Sequence, residues 1–131
     1  MNRLRIPALL IDKPLYDADA SNAQAVVDAP DSAAWLTWRN YPVIADHATQ
    51  GGTWRLQFAV PYLTWATVER NGKTTRYVCE KKQRGVIRGG KMYDSMGQSA
   101  HDQHTDLCIY TCTGRKLNGD TEVWLTFWRK K

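Results

Sequence analysis

The stretch Thr105–Cys112, "TDLCIYTC", decides how the rest of the chain is read. Its apolar and β-branched residues form a short strand that runs into a cysteine and then meets the turn chemistry of "TGRKLNGD". Cys108, Tyr110 and Cys112 are spaced by two, so on a regular strand they share one face. The two cysteines admit three readings: a metal pair, two core thiols, or one core thiol and one nucleophile.

Position separates them. Cys112 stands last, where the strand gives way to a Gly-containing loop, and a nucleophile needs such a place, held by a rigid element yet open to substrate. Cys79 and Cys108 sit mid-strand among apolar neighbours and read as buried thiols. Zinc is disfavoured because "CIYTC" is C-x3-C, no second cysteine pair exists, and alternate strand residues lie about 7 Å apart. His101, Asp102 and His104 in "AHDQH" leave a separate metal-binding alternative open.

A thiol nucleophile needs a group that activates it or carries its proton. His47 follows the apolar run "YPVIAD" and so has the same kind of place as Cys112, at a strand end and loop start. The two are 65 residues apart (112 − 47), a gap that tertiary folding has to close.

The same alternation recurs along the chain. "LRIPALLI" reads as an edge or opening strand with a proline, and "TWRLQFAV" alternates after Gly51-Gly52. "YLTWATVER" meets "TTRYVCEKK" across Asn71-Gly72, a strong hairpin signal. "GVIRGGKMY", "TDLCIYTC" and "EVWLTFW" follow, the last two joined by a turn containing Asn118-Gly119. One helical stretch is expected over residues 19–39, "DASNAQAVVDAPDSAAWLTWR", from its alanines, Asp and Ser caps and the break at Pro30. Turns every 8–12 residues predict a mostly β fold. The expectation is one domain over residues 1–131, a closed or sandwich-like fold of seven or eight strands with one or two short helices.

Composition fits that domain. The 131 residues are 43% hydrophobic and 24% charged, ordinary for a globular protein. Six Trp and six Tyr against two Phe suit half-buried positions and substrate grooves as well as cores. Eighteen basic and thirteen acidic residues give a net charge of +5, spread along the chain rather than packed into one tract. That favours an anionic neighbour without choosing among nucleic acid, membrane or bacterial wall. An odd count of three cysteines argues against a disulfide framework. The N-terminus lacks a signal-peptide h-region, and no run approaches the roughly 20 apolar residues of a membrane span. The chain is therefore expected to be soluble, either as a cytosolic protein or as one separated from a targeting segment or anchor, and the sequence leaves that choice open.

"VIADHATQGG" followed downstream by "DLCIYTC", with the opening "LRIPALLIDKPLYDA", resembles the sortases, the cysteine transpeptidases of Gram-positive bacteria. Their pattern is a strand ending in histidine, then a strand of the form T-L-x-T-C. The resemblance spans essentially the whole chain and implies a mostly β fold, a single-domain closed β-barrel of seven or eight strands. It implies that Cys112 is the nucleophile and His47 its proton-transfer partner, with Thr111 and His104 contacting substrate. It also implies a third catalytic group, an arginine near the start of the strand after the cysteine. Here Glu122 and Val123 occupy that place, so the nearest candidates are Arg115, favoured for its short reach, and Arg129.

The implied partners are a peptide sorting signal of surface proteins and an amine acceptor from a cell-wall precursor or a pilin. The implied location is the cell surface or membrane. No cofactor or metal is called for. Two alternatives stand beside this: a catalytically silent sortase-like domain that binds peptides, and a basic β-barrel that stacks nucleic acid on its Trp and Tyr.

Overall fold

The computed structural model describes residues 2–18, 33–38, 41–46, 60–88, 91–99 and 105–131. Nine strands are present among them: β1 (Arg3–Ile6), β2 (Ile11–Asp17), β3 (Ala33–Trp38), β4 (Tyr41–Asp46), β5 (Trp65–Arg70), β6 (Lys73–Arg88), β7 (Lys91–Asp94), β8 (Leu107–Leu117) and β9 (Asp120–Lys130). They run in the order β5-β1-β2-β3-β4-β8-β9-β6-β7, and a further β5–β6 pairing closes eight of them into a barrel. β7 lies outside the closure, paired to the last residues of β6. The mostly β architecture expected from the turn spacing is observed, and of its two forms it is the closed barrel that the resemblance implies.

Strand alternation builds the core. Leu4, Ile6, Ile11, Leu15, Trp35, Ile44, Val68, Tyr77, Leu107, Ile109 and Trp128 come from all eight barrel strands and form one buried cluster, the barrel lumen. The opposite face of β4, β8, β9 and the β6–β7 pair carries a second cluster that includes Val43, Met92, Cys108, Val123, Leu125 and Phe127. Both hairpins predicted from Asn-Gly pairs form. Asn71 and Gly72 have φ of 52° and 80°, and Asn118 and Gly119 have 52° and 85°, the left-handed pair that tight two-residue hairpins require.

Four local readings are corrected. "LRIPALLI" is not one strand, because Pro7 has no N–H to give the ladder and opens a 3-10 turn over Pro7–Leu9. The Leu10 N–H then donates to the Pro7 carbonyl (3.0 Å), and β2 returns antiparallel to β1. The helix expected over residues 19–39 fails at 33–38, which form β3, since pairing with β2 and β4 outweighs alanine's helical preference. Residues 19–32, like the strand read in 53–59, lie outside the described residues. "TTRYVCEKK" and the opening "GVIR" of "GVIRGGKMY" are not separate strands but parts of the 16-residue β6, which shifts register once between Cys79 and Lys81, while "KMY" falls in β7. β8, finally, does not end at Cys112 but continues to Leu117.

Gly85 is where β6, still paired with β9 on one edge, takes up β7 on the other. A Cβ there would sit 2.2 Å from the Tyr93 carbonyl oxygen and 2.6 Å from Leu125 Cδ1. Backbone cannot yield as a side chain does, so Gly85→Ala is expected to destabilise the fold by about 1–3 kcal/mol. Urea denaturation reads this as a lower midpoint at unchanged slope. An unchanged midpoint would mean that β7 is not held against β6 at this point.

Candidate active site

β4 and β8 are parallel neighbours. Val43 pairs with Cys108, Ile44 with Ile109, Ala45 with Tyr110 and Asp46 with Thr111. The long chain gap noted between His47 and Cys112 is thus closed to one strand spacing, about 4.8 Å, at the residue before each. The residues that follow this last pair in the chain are His47 and Cys112. His47 lies outside the described residues, as do His101 and His104.

The three thiols differ in access. Cys108 is fully buried, and burial drives its pKa far above the ordinary thiol range. Cys79 is buried in the lumen with its Sγ 3.7 Å from the Lys81 carbonyl, and burial pushes its thiol up to about 11. Cys112 is half-buried at the margin of the second cluster, on the face it shares with Cys108 and Tyr110. Its thiol is also raised, and among the described residues the cause is burial alone. The burial pattern read from strand position, two core thiols and one accessible one, is the pattern found. A thiol raised in this way needs an activating partner to supply thiolate at neutral pH.

Directly across β9 from Cys112 stands Val123, fully buried. The place where the resemblance looks for an arginine therefore presents an apolar wall. Glu122, beside it, faces the other side of the sheet and is mostly buried. Thr113 Oγ1 donates to Glu122 Oε1 (2.8 Å) and accepts the Arg115 N–H (3.2 Å). This clamp holds a bulge immediately after Cys112: the ladder jumps from Cys112–Val123 to Lys116–Thr121, so Thr113, Gly114 and Arg115 oppose Glu122 alone. Sequence reasoning missed it, although the small residues of "CTGR" interrupting a strand pattern were a usable signal.

Arg115 is in that bulge with an exposed side chain. It is part of β8, not of the loop the sequence suggested. Arg129 is elsewhere. It pairs with Glu80, and its neighbour Trp128 lies opposite Leu107, five residues or roughly 17 Å down β8 from Cys112. Thr111, paired with Trp124, is fully buried, and its hydroxyl has no hydrogen-bond partner. Strand parity turns its side chain to the face opposite Cys112.

No family model and no curated protein matches the chain. Solved structures do. The pilus-related sortase C of Group B Streptococcus aligns at TM-score 0.70 and 13% identity, covering 100% of this chain and 66% of that one. Sortase E1 of Streptomyces coelicolor, solved with a tripeptide in its active site, gives 0.67 at 14% identity over 99% of this chain and 86% of its own. Sortase C-3 of Streptococcus pneumoniae gives 0.64 at 16% identity over 99% of this chain, which spans only 62% of that protein. The chain has the sortase fold. No helix among the described residues is long and apolar enough to cross a membrane.

Proposed function

We propose that the chain is a sortase-type cysteine transpeptidase, with Cys112 as nucleophile and His47 as its proton-transfer partner. The observation that supports this best is the parallel β4–β8 pairing, which directs the strand leading to His47 and the strand leading to Cys112 the same way, side by side. The accessible thiol is the one that directly follows this ladder in β8.

In this reading Cys112 Sγ attacks the scissile carbonyl of a peptide sorting signal. The C–N bond breaks, His47 protonates the departing amine, and a thioacyl-enzyme remains. An acceptor amine, from a wall precursor or a pilin, then attacks the thioester while His47 takes its proton. The new amide leaves and the Cys112 thiol is restored. Arg115 supplies donors to the oxyanion from the bulge. Thr111 takes part through its main chain, since its side chain faces away, and His104 contacts substrate from the segment before β8.

A silent, peptide-binding relative is the second reading, favoured by Val123 in the arginine position and by the raised Cys112 thiol. Nucleic-acid stacking is less favoured because three of the described indoles lie against cations of this chain: Arg70 is 4.3 Å over Trp35, Arg76 4.5 Å over Trp65, and Lys82 4.5 Å over Trp124.

The pH-rate profile of Cys112 alkylation, with the label located by peptide mapping, separates the first two readings. Burial disfavours the thiolate, so Cys112 without a partner should react appreciably only at alkaline pH. In the wild type the inflection should lie lower, and His47→Ala should move it upward while slowing turnover by roughly 10²–10⁴-fold. Superimposable profiles, or a Cys112 no more reactive than Cys79, would favour the silent domain.

A further inference from the structure

Among the described residues, the barrel has an open mouth at the end remote from Cys112, where β4 and β8 begin and β9 finishes. A cavity of about 420 Å³ occupies that mouth, within the size range of small-molecule sites. Its floor includes Trp35, Val68 and Tyr77, side chains of the lumen core. Its rim carries Arg70, Lys73 and Lys130, contributed by β5, β6 and β9. Arg70 and Lys73 face each other across the β5–β6 hairpin, and Lys130 pairs with Tyr77. Cations therefore ring an apolar floor.

Arg70 is the informative member. Its Nη2 donates to Asp17 (2.7 Å), and its guanidinium stacks 4.3 Å over Trp35, which fixes the plane. Its Nε, however, is shielded from solvent and has no hydrogen-bond partner. The guanidinium is thus charge-paired through Nη2, while a second donor beside the cavity lacks an acceptor. Two carboxylates offset the rim in part: Asp17 on Arg70, and Asp106, which accepts the Lys130 backbone N–H (2.7 Å). Among the described residues, the Lys73 and Lys130 ammonium groups have no carboxylate partner.

We propose that this mouth binds a small amphiphilic anion, a carboxylate or phosphate monoester on an aryl or short alkyl group. The anionic head sits among Arg70, Lys73 and Lys130, and the apolar part rests on Trp35, Val68 and Tyr77. The site is separate from the chemistry at Cys112 and does not depend on it.

Titration of the full chain with phenyl phosphate, benzoate, inorganic phosphate and phenol, followed by ¹H–¹⁵N NMR, tests this. The Arg70 Nε–H and Trp35 indole signals should shift saturably with the first two. They should shift less with inorganic phosphate or phenol, each of which offers half of the recognition. The stronger of phenyl phosphate and benzoate identifies the preferred head. Lys73→Gln and Lys130→Gln, both at exposed positions that spare the fold, should each weaken binding roughly threefold to fivefold, as loss of a partly exposed ion pair does. Cys112→Ala should leave binding unchanged. Non-saturating shifts, shifts spread over Arg84 and Arg88 as well, or affinities indifferent to both lysine variants would overturn the proposal.

Discussion

Cys112→Ala is expected to abolish the covalent intermediate, while Cys108→Ala retains it. The two thiols are on one face of one strand four residues apart, so composition and strand parity do not separate them. Depth does: Cys108 is sealed in the cluster with Val43 and Phe127, whereas Cys112 is half-buried beside the bulge. Sealing also removes reactivity, because burial holds Cys108 as the neutral thiol throughout the working pH range. Intact-mass measurement during incubation with a panel of sorting-signal peptides should show, with any peptide the wild type accepts, the acyl adduct on wild type and on Cys108→Ala, and none on Cys112→Ala. Cys108→Ala should cost on the order of 1 kcal/mol of stability. If a folded Cys108→Ala chain were as inert as Cys112→Ala, the nucleophile assignment would fail.

Trp128→Ala should be the most damaging substitution for the fold, costing about 3–5 kcal/mol. That is a large share of the roughly 5–15 kcal/mol that holds a domain of this kind together. Trp128 is the largest of the fully buried side chains and fills the lumen where β6, β8 and β9 meet. Its Nε1–H donates to Thr126 Oγ1 (2.7 Å), and Thr126 Oγ1 donates in turn to the Ile109 carbonyl (2.6 Å). The alanine variant loses packing, opens a void and breaks this relay. Trp128→Phe keeps much of the volume and loses the donor, so it should cost less, nearer 1–3 kcal/mol. Urea midpoints for the two variants measure the difference. A Trp128→Ala loss below about 1 kcal/mol would mean that the lumen is not packed around the indole.

The candidate site was only partly legible. Cys112 was singled out because it was read as ending a strand, yet β8 runs on through a bulge that the Thr113–Glu122 hydrogen bond holds. The cysteine is accessible for a different reason from the one its position suggested. Arg115 was named for its nearness in sequence, and what the bulge adds is its exposure. Thr111, next to the cysteine in sequence, is turned away from it by strand parity.

The sequence by itself determined the elements whose cause is local. Alternating residues set the two faces of β8 and β9, and Asn71-Gly72 and Asn118-Gly119 set two hairpins through their left-handed φ angles. Pro7 carried the break between β1 and β2, though its neighbours disguised it. Only the tertiary structure decided which strands meet. The parallel β4–β8 pairing, the conversion of residues 33–38 into β3 and the meeting of Lys130 with the Arg70–Lys73 hairpin at one mouth join residues far apart in the chain, and the union of two apparent strands into β6 follows from the one distant partner, β9, that pairs along both. Such contacts leave no periodic trace in sequence, because the energy that selects them is the burial and pairing of the closed barrel, not the preference of any one segment.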